Sequence, residues 1–340
     1  MHTLKICLAI SATGFLLTGA LALLHADARS SRGWLLVANK ADRTLSVIDP
    51  AAGKQVAAIP VEGVTGHEVV ASPDGKLAFV PIYGNSGVGL PGTDGSSITV
   101  IDLASRKVVS KIDIGHGVRP HCAVFNRADG LLYVTSEIDK EILVIDPRTL
   151  KILGAVPTGQ PESHMLAISS DGKRGYTANV GPGTVSVLDL VARKTVAIIH
   201  VARIVQRIAI SPDNRWVFTA DQHEPRLAVI DTASNSVKQW VTLPDVAYGT
   251  AVTHDGKWLL ITQPKTSKIV ALDLATMKIT HTINVPANPQ EVVVRPDDRR
   301  AYVSCLDKAQ VAVLDLENWK LDRAIDAGKE ADGLAWAVRP

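Results

Sequence analysis

Aromatic side chains are scarce in this chain. Phe, Trp and Tyr make up 4% of its 340 residues, while hydrophobic residues as a whole reach 46%. A core must then be assembled from Val, Ile, Leu and Ala. β-Branched residues suit packed sheets, because they fill a pleated surface with little loss of rotamer freedom. The same scarcity leaves few flat platforms for sugar rings and argues against a general polysaccharide-binding surface. Charge of one sign is lacking too: 36 Lys and Arg against 34 Asp and Glu leave a net +2. No basic run or aromatic-basic stripe occurs, so nothing points to nucleic acid. Nor does the chain carry a haem-attachment motif or a readable Ser-His-Asp order.

Cysteine is limited to three residues, and Cys7 lies apart from Cys122 and Cys305. Cys7 sits in the one long hydrophobic run, residues 6–24, which follows Lys5 and ends before Ala26-Asp27-Ala28. A charged start, an apolar stretch and a small-x-small site make a secretory signal, with cleavage expected after Ala28. The rival reading is an uncleaved membrane anchor, since the run is nearly long enough to span a bilayer. Either way the expected location is periplasmic or secreted, with no membrane contact beyond this segment. Residues 29–340 are expected to form one domain and a monomer.

Seven copies of one phrase organise that domain. Apolar strand residues run into Asp49, Asp102, Asp146, Asp189, Asp231, Asp273 and Asp315, at separations of 53, 44, 43, 42, 42 and 42 residues. A strand-rich period of 40 to 45 residues is what a β-propeller blade requires. The expected fold is all-β: a seven-bladed β-propeller of four-stranded blades. Turns such as Ser72-Pro73-Asp74-Gly75 and His254-Asp255-Gly256 recur once per repeat, and Asp-Gly and Pro-Asp are hairpin chemistry. These aspartates read as turn formers, not as catalytic carboxylates. The chain ends are out of phase. Trp34 begins a second strand with no first strand before it, and the missing strand stands at Asp332 to Ala337. One blade is thus expected to combine N- and C-terminal strands, a clasp that closes the ring and hides open edges. Trp34, Trp216 and Trp258 share one register and read as packing residues.

The phrases Tyr133-Val134-Thr135-Ser136 and Tyr302-Val303-Ser304-Cys305, with the Ser-Pro-Asp-Gly turn and the Val-Ile-Asp-Pro strand end, resemble the YVTN-type β-propeller family. The resemblance covers residues 29–340. It implies the fold and leaves function open, because that family spans exported proteins of unknown role, surface-layer proteins and neighbours of redox enzymes. Propellers similar to it also serve as lactonases and as the haem-carrying domains of nitrite reductases.

In a propeller the first strand of each blade lines the central channel, and the residue that starts it points into the channel mouth. Aligning the repeats there gives His67, His121, His164, Gln206, Tyr248, Gln290 and Asp332. Three are histidines on successive blades, out of eight that follow residue 28. One reading is a divalent metal held by His67, His121, His164 and Gln206, since imidazole suits transition metals and the amide oxygen adds a fourth ligand. That set is similar to the three histidines and glutamine of oligogalacturonate lyases. The other reading is a polar ring that solvates the channel. An insertion of about ten residues falls in the Gly-rich stretch 83–97, on the same top face. It reads as a lid or binding loop, or equally as a tolerated floppy insertion. It is not a phosphate loop, because it does not run from a strand into a helix with a following lysine.

Two function classes remain. The first is an exported binding or scaffold propeller that engages a protein or small-molecule ligand at the top face. The alternative is a metal-dependent lyase or lactonase-like hydrolase acting on a sugar acid or lactone, with the metal polarising a carbonyl. No convergent catalytic base is visible in the sequence, which favours binding. Cys122 and Cys305 fall on distant blades and are expected to be unbonded to each other. Nothing near Cys305 argues for a reactive thiol, and the charged loop from Asp221 to Glu224 reads as a solvated turn.

Overall fold

The computed structural model describes residues 32–339. The expected signal segment, residues 1–28, and Cys7 lie outside the described residues. Among the described residues no helix is long and apolar enough to cross a membrane.

Seven separate four-stranded antiparallel sheets follow one another in the chain. Blade 4 shows the unit: Ser163–Ile168 is the inner strand, followed by Arg174–Asn179, Thr184–Asp189 and the outer strand Lys194–His200. The middle strands are almost wholly buried, because both their faces pack against neighbouring blades; the outer strands alternate between half-buried and exposed. The core is therefore a set of aliphatic layers between blades. One such layer joins Ile142, Val144, Leu166, Val187 and Ile230 from blades 3, 4 and 5.

The turns form as the sequence predicts. All seven strand-end aspartates accept a backbone N–H from the turn that follows. The residue four positions on has a positive φ in every copy: Gly53, Arg106, Leu150, Arg193, Asn235, Met277 and Trp319. Asp74, Asp171, Asp213, Asp255 and Asp297 each bond the side chain that opens their own hairpin.

The clasp is present. Ala331–Val338 pairs antiparallel with Gly33–Asn39 and becomes the inner strand of blade 1, completed by Thr44–Asp49 and Lys54–Pro60. Blade 2 locks onto it closely. Gly75 sits at φ +71°, and a Cβ there would come within 1.8 Å of Val338 O. Trp34, Trp216 and Trp258 are all half-buried packing residues, as expected. Arg339 lies 3.5 Å over the Trp34 ring, Arg215 4.6 Å over Trp216, and Trp258 meets the Trp319 ring at 4.9 Å.

Inner strands come in two kinds. In blades 1, 3, 4 and 7 they are long: Ala331–Val338, Pro120–Phe125, Ser163–Ile168 and Pro289–Val294. Each of these four contains a register shift near its start, between Ala331 and Leu334, Pro120 and Ala123, Ser163 and Met165, and Pro289 and Val292. In blades 2, 5 and 6 the inner strand shrinks to Val70–Ala71, Ala209–Ile210 and Thr250–Val252.

Candidate functional site

The register shifts decide where the ring residues point. His121, His164, Gln290 and Asp332 lie within the four bulges, and a bulge turns its extra residue away from the ladder. Ser and Thr hydroxyls on the second strands satisfy the freed backbone. Thr135 Oγ1 accepts from Cys122 N at 2.8 Å and donates to His164 O at 3.0 Å, which ties blade 3 to blade 4. Thr262 does the same between Gly249 N and Gln290 O, at 2.6 and 2.9 Å.

His67, His121, His164 and Gln206 do come together. The His67 and His121 rings meet edge to face with centroids 5.6 Å apart, and His121 lies against His164 at 3.5 Å. Gln206 Nε2 donates to His164 Nε2 at 3.0 Å, which leaves His164 Nδ1 to carry the proton toward Glu137 Oε1. Tyr83 Oη donates to the other Glu137 oxygen at 2.8 Å. Tyr83 and Glu137 thus belong to the cluster. Sequence alignment of the inner-strand position alone misses Tyr83, and it ranks Glu137 merely among loop residues. Burial sets the electrostatics. His67 is pushed down to about 3, chiefly by burial, and His121 well below the ordinary imidazole range by burial and the neighbouring His164. Burial and Glu137 raise the Tyr83 phenol. His121 Nδ1 is buried with no hydrogen-bond partner.

As donors for a metal, these side chains form a stacked, hydrogen-bonded group. Both His164 nitrogens are engaged, so an ion using Nε2 has to displace Gln206. Among the described residues no three His, Cys, Asp or Glu side chains are set around a common point.

The other three ring positions go elsewhere. Tyr248 lies 5.0 Å from the Arg207 guanidinium, and Asp332 pairs with Lys40 Nζ at 3.0 Å. Gln290 turns to Asn288 Oδ1 at 2.5 Å. A second tier, one residue further along each inner strand, carries Glu68, Arg207 and Glu291. Arg207 Nη1 donates to Glu68 Oε1 at 2.6 Å, although 139 residues separate them.

The insertion is shorter and better held than the sequence suggests. Tyr83 and Gly84 extend the second strand, and residues 94–97 the third, so the loop proper is 85–93. Arg119 pins it: Nε donates to Asp94 Oδ1 at 2.5 Å and Nη2 to Leu90 O at 2.7 Å. Thr93 N donates to Asn85 Oδ1 at 2.7 Å. The pinned loop divides the top face into two clefts. One, of about 400 Å³, reaches His67 beside Lys40 and Ser86. The other, of about 440 Å³, reaches Glu137 between Leu90 and Glu162.

Both described cysteines are free and buried. Cys122 stands in the inner strand of blade 3 and Cys305 in the second strand of blade 7, and burial pushes each thiol up to about 12. Cys305 is not open to the channel mouth but part of the apolar layer around Val303 and Leu314. Asp221 bonds the N–H of His223 at 2.9 Å and pairs with Arg226 at 3.0 Å, which makes the charged loop a self-satisfied turn.

A stretch of 138 residues, 40% of this chain, is 30% identical to the seven-bladed beta-propeller protein Rv1057 of Mycobacterium tuberculosis. The match spans about a third of that relative's length, 32%. No family profile matches the chain. Among solved structures, hydrazine synthase from Kuenenia stuttgartiensis is similar with a TM-score of 0.68 and 19% identity, over 79% of this chain and 89% of that one. A functionally unknown protein from Desulfotomaculum acetoxidans is similar with a TM-score of 0.73 and 11% identity, over 91% and 100%. At these identities the likeness is one of fold. The chain is a seven-bladed β-propeller.

Proposed function

We propose that this propeller is a binding protein, and that it recognises a polar ligand or the polar segment of a partner at the top channel mouth. The observation that carries the reading is His121 Nδ1, buried and unpaired beside the bonded chain of Tyr83, Glu137, His164 and Gln206. An orphaned buried nitrogen costs about 1–3 kcal/mol, which a bound partner atom would relieve. The pinned 85–93 loop and its two flanking clefts give a ligand walls to rest on. The apolar segment at residues 6–24 supports a place outside the cytoplasm, periplasmic or secreted. The strands that hold Tyr133 to Ser136 and Tyr302 to Cys305 support placing the chain among YVTN-type propellers.

The test is a solute screen read by melting temperature on wild type and His121→Asn, with sugar acids, other carboxylates, polyols and divalent metals. A ligand at a hundred times its Kd stabilises the fold by about 2.7 kcal/mol. A stabiliser whose effect disappears in His121→Asn supports the reading. A screen in which every stabiliser acts equally on both chains removes it. If the one stabiliser lost is a stoichiometric divalent metal, the metal-dependent lyase or lactonase alternative takes its place.

A further inference from the structure

The channel does not run open from mouth to base. Arg207 crosses it from blade 5. Besides Glu68 of blade 2, its Nη2 reaches Asp332 Oδ1 of blade 1 at 3.5 Å, and its Nη1 lies 3.9 Å from Glu291 Oε1 of blade 7. Below this brace is a chamber of about 850 Å³, to which the inner strands of all seven blades contribute. Val70, Val124, Phe125, Leu166, Ile208 and Trp336 form an apolar part of its wall, Asn126, Arg127 and His254 a polar part, and its roof carries Glu68, Arg207 and Glu291.

The roof is one positive charge short. Three carboxylates, Glu68, Glu291 and Asp332, face two cations, Arg207 and Lys40. Glu291 is the one without a close cation, and its side chain shares a hydrogen bond with Glu68. It stands farthest from the guanidinium, and its side chain is 20% exposed where those of Glu68 and Asp332 are 5% and 6%. Glu291 Oε2 is fixed by Leu334 N at 2.6 Å, so the group is held in place at the chamber roof. Burial and the neighbouring Glu68 carboxylate hold Glu291 well above the usual carboxylate range.

We infer that the lower chamber binds an organic monocation, an amine with a compact hydrocarbon or aryl body, whose ammonium group pairs with Glu291 while its body packs on the apolar wall. Charge complementarity selects this occupant. At the roof an anion would face Glu68, Glu291 and Asp332, and a neutral solute would leave Glu291 as it is. A bare potassium or sodium ion would leave most of the chamber unfilled. Arg207 Nε, buried and without a partner at the roof, adds a donor for an oxygen carried close to the amine. Pairing with an ammonium favours the ionised form of Glu291, which burial otherwise disfavours. The site stands on the far side of the Arg207 brace from the histidine cluster.

The experiment is calorimetry on the whole chain with three probes of one shape: phenethylamine, phenylacetate and phenethyl alcohol. The amine is expected to bind at least about tenfold tighter than the other two, a difference of about 1.4 kcal/mol. Because burial raises Glu291, the amine should bind more tightly as pH rises, and its heat should vary with buffer ionisation enthalpy. Glu291→Gln keeps the shape and an acceptor for Leu334 N, and should weaken the amine about tenfold while leaving the alcohol unchanged. Val124→Trp, which narrows the chamber at its wall, should weaken binding of all three. Equal affinity for the three probes, no binding of the amine, displacement of the amine by millimolar potassium, or unchanged amine affinity in Glu291→Gln would each overturn the proposal. If Glu291→Gln does not fold, the ranking of the probes on wild type still decides.

Discussion

Burial shifts His121 and Glu291 toward their neutral forms, and they make stability depend on pH in opposite senses. His67 and His121 sit far below the ordinary imidazole range. Unfolded, they protonate near pH 6.5. Between that value and about 3, the unfolded chain binds more protons than the folded one, so stability falls as pH drops through the window. Each imidazole contributes up to about 1.4 kcal/mol per pH unit. Glu291 is raised, so its contribution is present below about pH 4.3 and is lost as pH rises toward its folded value. Glu291→Gln should therefore be more stable than wild type at pH 8, and His121→Asn should show a flatter acid limb. Urea melts of the three chains at pH 4.5, 6.5 and 8 check both; a Glu291→Gln midpoint constant from 6.5 to 4.5, with the opposing carboxyl gone, would contradict neutral, buried imidazoles. At this scale the sequence is readable only where repeats align. The three histidines stand out because equivalent positions can be compared. Arg207 does not, because its partners Glu68 and Asp332 lie 139 and 125 residues away and nothing local marks the pairing.

Strand identity follows from the aspartate phase and the hairpin turns, which are local and repeat with the blade. Bulges do not show themselves in the same way. The four blades with a bulge differ from the other three in a backbone feature: Arg119, Glu162, Asn288 and Glu330, two residues before the ring position, all have positive φ. Asn288 is of a type that tolerates a left-handed turn, but Arg119, Glu162 and Glu330 give no sign of one. The second-strand hydroxyls that complete these bulges look like ordinary strand residues until their partners are known. Thr135 is fully buried, and it serves Cys122 N and His164 O together. Thr135→Val keeps the shape but strands a buried donor and a buried acceptor, at about 1–3 kcal/mol for each group left unpaired. Thr135→Ser should recover most of that loss. Chemical denaturation of the three chains tests the point, and a valine variant as stable as wild type would remove the bridge from the account of the site. Because the same hydroxyl holds the His164 backbone, the valine variant should also weaken any ligand found at the mouth.

Ring closure belongs to the whole molecule. The clasp was legible because the two chain ends each supply part of one repeat, and it places Ala331–Val338 beside Gly33–Asn39 in a single sheet. Arg339 N donates to Arg32 O at 3.1 Å, so the two ends of the described chain lie side by side at the base of blade 1. A short turn can therefore join 339 to 32, and the ring can be opened at another point. Where it is opened should decide its stability. Opened at the hairpin turn 170–172, the new termini fall inside blade 4 and a clasp is rebuilt there, since inner strand Ser163–Ile168 still pairs with Arg174–Asn179. Opened at 158–162, between blades 3 and 4, every blade is contiguous and closure rests on side-chain packing between sheets alone. Inter-sheet packing is non-directional, whereas a shared strand adds a ladder of backbone hydrogen bonds that must break before the ring can part. The first permutant of residues 32–339 should melt close to the unpermuted ring, and the second roughly 5–10 °C lower, the equivalent of a few kcal/mol at this size. Equal melting temperatures would mean that blade packing alone closes the ring and that the clasp contributes nothing beyond chain continuity.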